Sequence, residues 1–190
     1  MFKTKRSRVR AVAAVGMVAV IATVGGVTYQ ASAGEAPGAR AVSVPLIAEA
    51  IKPPPGSIPI GAYLVQTGTQ TYTCNSTATG GTAFGPASVP EARLIGTGGR
   101  IHHFGGPSWQ SERDGSLVTA TKAGESLRPG TIAELLLKVA THTGNGILSK
   151  ADFINRLRTS GGTAPAGACT LGTTAVVPYK AIYVFWDAPA

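Results

Sequence analysis

The chain has 190 residues and a formal net charge of +8, from 17 Lys and Arg against 9 Asp and Glu. Five of the basic residues, Lys3, Lys5, Arg6, Arg8 and Arg10, stand in the first ten positions, which leaves 12 basic against 9 acidic residues, or +3 without clusters, beyond residue 33. Nucleic acid asks for a basic patch or stripe, so that class of partner is excluded, and the length fits one domain with a real core rather than several.

In chain order, the basic start is followed by Ala11–Val27, a continuous apolar run of about 17 residues, and then by Ala31-Ser32-Ala33. Charged start, apolar middle and small-residue exit are the three parts of a secretory signal. The run is at the short end for a membrane span of about 20 residues. Residues 1–33 are therefore expected to be cleaved, leaving a secreted or cell-surface protein with no stable membrane span. Residues 34–56 read as a Pro/Ala-rich arm or linker, stiffened by Pro53-Pro54-Pro55. Within it Val44–Ile51 is apolar enough to dock on the body.

Residues 57–190 read as a β-rich domain. Ile60–Thr67 and Thr69–Cys74 are expected strands around a Thr67-Gly68 hairpin turn. In the second of them Gln70, Tyr72 and Cys74 share one face. Asn75–Gly81 is a polar loop containing a formal glycosylation sequon, Asn75-Ser76-Thr77. Short strands are expected at Ala92–Ile95, Arg100–Phe104 and, after the Asp114-Gly115 turn, Leu117–Ala120. Residues 131–140 fit two patterns. Thr131 and Glu134 have capping-box spacing ahead of a helical apolar face, while Ala133, Leu135, Leu137 and Val139 alternate as a strand does. Residues 148–158 are ambiguous in the same way. Ala175–Trp186, rich in Val, Tyr, Ile and Phe, is one long or bent strand with Pro178 at a bend or edge. The expected fold is mainly β: a single-domain antiparallel β-sandwich or barrel-like body with at most one or two short helices.

Cys74 and Cys169 are the two cysteines. Export takes them to a compartment where disulfides persist, and they allow one intramolecular pairing, with free thiols or an intermolecular bridge as the alternatives. The bond would close a loop of about 95 residues, for which chain entropy predicts about 4–5 kcal/mol.

Several motifs stand in a given order along the chain: Tyr72-Thr73-Cys74, His103-Phe104-Gly105-Gly106-Pro107-Ser108-Trp109, Asp114-Gly115-Ser116, Leu135-Leu136-Leu137-Lys138, Thr159-Ser160-Gly161-Gly162-Thr163-Ala164-Pro165 and Val177-Pro178-Tyr179. Together they resemble the domain of unknown function 3455, a family of exported bacterial and fungal proteins, over about residues 50–187. The resemblance implies an exported, mostly β domain with Leu135–Lys138 as strand, and no activity. The family pattern has an acid after the Trp. This chain has Gln110 there, so the resemblance supplies no carboxylate beside Trp109.

The densest chemistry lies in His102–Trp109, where glycines and Pro107 allow a close approach, Trp109 offers a flat apolar face and His103 a polar one. The competing reading is a structural turn whose Trp fills the core. On a strand His102 and His103 point to opposite faces, so a metal would need His142 and a distant Asp114 or Asp152, and none is expected. No cofactor is expected either. A serine triad of Ser108, His103 and Asp114 exists on paper, without an elbow motif to support it. Arg156 and Arg158 flank Leu157 and on a regular strand would face one way, as an anion site or a solvated face. The first expectation is a secreted non-enzymatic domain that binds a small molecule, glycan or surface partner through His103, Trp109 and Arg156. The rivals are a secreted hydrolase with a histidine general base, His103 or His142, and a structural cell-surface protein. A base predicts an acid on the His103 ring, and a structural role predicts that His103 and Trp109 are both buried.

Overall fold

Alternation of inward and outward side chains, with bulges where the chain must curl, builds the whole body. The structure, a computed structural model, describes residues 26–29 and 42–189. Its strands are β1 (Gly26–Tyr29), β2 (Val42–Pro45), β3 (Ile58–Ser76), β4 (Thr82–Gly96), β5 (Gly99–Phe104), β6 (Ser108–Ser111), β7 (Leu117–Ser126), β8 (Glu134–Thr143), β9 (Phe153–Gly161) and β10 (Thr174–Asp187), with a short 3-10 turn at Glu49–Ile51. The expected signal falls outside the described residues except for β1, whose backbone pairs antiparallel with β2.

β3 to β10 run as an antiparallel meander, each strand bonded to the next, and β10 returns to β3 to close an eight-stranded barrel. The mainly β, barrel-like expectation holds. The hairpin expected at Thr67-Gly68 does not: β3 is one strand of 19 residues that pairs with β10 on one side and β4 on the other. Gly68 is there for contact rather than for turning. A Cβ on it would lie 2.6 Å from Val65 Cγ1 and 2.8 Å from the Tyr179 ring. The strand bends at this glycine, next to a register shift at Val65/Thr67, so that Tyr179 can cover it. β10 bends as well, with a shift between Pro178 and Ile182.

Of residues 131–140, those from Glu134 on are strand, the first part of β8, and 131–133 lead into it. Glu134 makes no capping box; its carboxylate accepts from Arg128 Nη1 and from the Arg158 N–H, both at 2.7 Å. The ambiguous 148–158 segment is a turn followed by β9. Arg156 and Arg158 do not share a face. Arg158 has φ 50°, in the left-handed region, where β9 slips against β10, and its side chain is exposed while Arg156 lines the barrel interior.

The interior is filled by Tyr63, Val65, Leu94, Ile101, Trp109, Val118, Leu137, Ile154, Tyr183 and Phe185. A second apolar cluster lies on the outside of the wall. Val42, Val44 and Ile51 of the arm pack on Leu136, Leu157, Val184 and Trp186. The arm is thus docked, as its apolar residues predict, and a buried polar residue of the wall holds it. Asn155, 0% exposed, donates from Nδ2 to Ile51 O at 2.8 Å and to Leu135 O at 3.0 Å, and its Oδ1 accepts from Trp186 Nε1 at 2.9 Å. Cys74 and Cys169 form a disulfide that ties the β9–β10 connection to the end of β3.

Candidate functional site

The two ends of the barrel differ. At one, the β4–β5, β6–β7 and β8–β9 turns close over Tyr63, Ile147 and Leu148, and Asp114 bonds Ser116 and the Ile147 N–H. At the other, the interior continues into a cavity of about 500 Å³. Its floor is His103, Trp109, Tyr183 and Gln70, all buried, and Leu135, Leu137 and Arg156 form a wall. Gly106, Pro107, Thr121 and Lys122 are exposed at its rim.

Local sequence explains the floor. On β5, alternation sends His103 inward and His102 outward, where His102 Nε2 meets Glu91 at 2.7 Å. The tight Gly105–Pro107 turn returns the chain so that Trp109 pairs opposite His103. Their rings stack at 4.3 Å and 5°, with the Tyr183 ring edge-on to both.

The His103 ring is oriented by main chain. Nδ1 lies 2.9 Å from Ser108 O, and a carbonyl only accepts, so Nδ1 carries the proton and Nε2 a lone pair. Burial pushes the ring down to about 4, with the Ser108 bond opposing and Arg156 adding to the drop. It is neutral at physiological pH. The unfolded chain therefore takes up a proton on this ring first as pH falls. The stabilising effect is complete above about pH 6.5 and is lost progressively towards pH 4, about 3 kcal/mol in all. Urea midpoints at pH 7.5, 5.5 and 4.5 measure this loss, and His103→Phe, which keeps the stack, should remove that part of the pH slope. An equal slope in both proteins would contradict the assignment.

Arg156 donates from Nε and Nη2 to Ala133 O, at 3.1 and 2.9 Å, and sits beside the Tyr183 hydroxyl. No carboxylate pairs with it among the described residues. Burial raises the Tyr183 phenol, with Arg156 opposing. Two further donors are stranded. Trp109 Nε1 and Gln70 Nε2 are buried with no partner among the described residues, although Gln70 Oε1 accepts from Ser88 at 2.5 Å.

The structure thus brings His103, Trp109 and Arg156, named from the sequence, to one cavity. It does not bring Ser108, His103 and Asp114 together: Ser108 Oγ donates to Gly105 O, and Asp114 is at the closed end. His142 is outside the cavity and bonds Ala151 O through Nε2. Gln70 and Tyr183 were missed. Gln70 had a signal, a long polar side chain sharing a face with Tyr72 and Cys74, since a polar group on a buried face needs a reason. His103 and Trp109 are 2% and 1% exposed, as the structural reading expects, and they also floor a cavity, while the His103 ring meets the Ser108 carbonyl and not the acid a general base would need.

Residues 96–187 match the family described as Protein of unknown function (DUF3455), so the resemblance holds over β5–β10, and the match begins at the last residue of β4, beyond all of β3. No curated protein and no solved structure matches the chain.

Proposed function

We propose that this barrel, whose family has no assigned activity, is an exported non-enzymatic binder that carries a small apolar molecule in its open-end cavity. The observation that carries the reading is the cavity itself. It is continuous with the core, has about 500 Å³, and combines aromatic and aliphatic walls with a few convergent polar groups, the usual make-up of a ligand site. The hydrolase reading is weaker, because a general base needs a partner that stabilises its protonated form. His103 has no acid there; the Ser108 carbonyl does stabilise the protonated ring, but burial outweighs it and the pKa stays lowered.

Export is supported by the signal-like residues 1–33 and by the Cys74–Cys169 disulfide. Among the described residues no helix is long and apolar enough to cross a membrane. The barrel wall itself puts Glu91, Arg93, Arg100 and His102 outward and Leu94 and Ile101 inward. Membrane barrels turn an apolar band outward and a polar lumen inward, and the outward charges of β4 and β5 support a water-facing surface there.

The neutral dye N-phenyl-1-naphthylamine brightens in dry sites and tests the reading. It should bind the protein with micromolar affinity and bind Leu135→Trp, which fills the cavity from its wall, at least tenfold more weakly with unchanged circular dichroism. Equal binding by both proteins, or none by the wild type, would overturn it.

A further inference from the structure

We infer that the molecule held in this cavity carries a single carboxylate, bound by Arg156 with help from Gln70 and Trp109; the inference rests on the carrier reading above. The charge inventory of the cavity points this way. Its lining contains two cations, Arg156 and Lys122, and no acid. Lys122 is at the exposed rim and already pairs with Glu125 at 2.9 Å. His103 is neutral. Arg156 is therefore the one charge of the inner wall without a counter-ion among the described residues. Removing a guanidinium partly from water without an anion is costly, and a charge-assisted bond to a carboxylate offsets that cost.

The hydrogen-bond count agrees. Arg156 has five N–H groups; the Ala133 carbonyl takes two of them and the Tyr183 hydroxyl engages a third, which leaves donors over. Gln70 Nε2 and Trp109 Nε1 line the same cavity with no acceptor among the described residues. A buried donor without an acceptor is a loss that a ligand oxygen recovers. The site sets the donors of Arg156, Gln70 and Trp109 beside neutral acceptors, the His103 Nε2 lone pair and the Tyr183 hydroxyl, and its one inner cation favours an anionic head group over an amine. One inner cation matches a monoanion, whereas a phosphate dianion would keep a net negative charge in an apolar cavity. The remaining walls, Leu135, Leu137, Ala120 and Trp109, suit a hydrocarbon or aromatic body.

The experiment is isothermal titration calorimetry of the purified protein at pH 7.5 with octanoate, 1-octanol and octylamine, which share a tail and differ in head group. Octanoate should bind at least tenfold more tightly than 1-octanol, and octylamine most weakly. Arg156→Met should bring octanoate down to the octanol level and leave octanol within twofold of wild type. Gln70→Leu, which keeps the volume, should cost octanoate a further selective threefold or more. Equal affinity for octanoate and octanol in the wild-type protein overturns the carboxylate inference whether or not the variants fold, and so does an equal loss of both ligands in Arg156→Met. The carrier reading survives those outcomes, because octanol and the naphthylamine dye still bind. If octanoate, octanol and the dye all fail to bind, both readings fall.

Discussion

Replacing Cys74 and Cys169 by Ser should lower the stability of the barrel by about 4–5 kcal/mol and its Tm by roughly 10–15 °C. The size follows from sequence separation. The bond joins residues 95 apart, so it removes a large share of the conformations open to the unfolded chain. The native ends need the bond much less. Cys74 N–H donates to Thr173 O at 2.8 Å, Gly172 N–H donates back to Cys74 O at 3.0 Å, and Thr82 Oγ1 bonds Cys169 O. Tyr72 also holds the start of the same connection through Gly162 O. The reduced barrel is therefore expected to keep its circular dichroism and its cavity while its denaturation midpoint falls. Guanidinium titrations of the double variant, and of the wild type with and without reductant, provide the check. A loss under about 1 kcal/mol would show that the unfolded chain already holds these ends together. A collapse of the fold would show that the bond, rather than the backbone ladder, positions the β9–β10 connection.

What the sequence disclosed depends on whether a signal was local. The strand character of β3, β5 and β7 was legible because one face is buried and the other wet, which leaves a period of two. The Leu135-Leu136-Leu137 run was ambiguous for a physical reason. Leu137 points into the barrel and Leu136 into the cluster under the arm, so both faces of β8 are dry and the alternation disappears. Gly68 misled for a related reason. A glycine beside a Thr reads as a turn, and only the ring of Tyr179, over a hundred positions later in the chain, explains it as a close contact. Arg156 and Arg158 were assigned one face because a bulge is invisible to a period. For the site, His103, Trp109 and Arg156 were accessible as chemical types. Their meeting depends on closure of β10 onto β3, which no local pattern encodes.

Asn155→Leu should release the arm from the barrel wall. Leu has nearly the same volume, so the change acts through hydrogen bonds. It removes the donor to Ile51 O and the acceptor of Trp186 Nε1, both from groups shut off from water. Leaving such partners unsatisfied costs about 1–3 kcal/mol each, or roughly 3–9 kcal/mol with the loss at Leu135 O. Undocking exposes Val44 and Ile51, at about 1.5–3 kcal/mol per side chain, but it returns water to the stranded groups. The two costs are of similar size, so the arm should come off in a sizeable fraction of molecules. Amide hydrogen exchange over residues 46–52 should speed up at least tenfold, and Trp186 emission should shift to the red. Gly124→Ala tests the same seat by a different route. Its new Cβ would lie 2.7 Å from Ala50 O, a backbone atom of the arm, so the arm must move although no polar group is lost. Faster exchange in both variants, with the open-end cavity still binding the naphthylamine dye, would establish the arm as a separately released layer on a self-sufficient barrel. Unchanged exchange in both would mean that the apolar contacts of Val42, Val44 and Ile51 hold it without Asn155. Loss of dye binding together with the arm would make the arm part of what keeps the barrel closed.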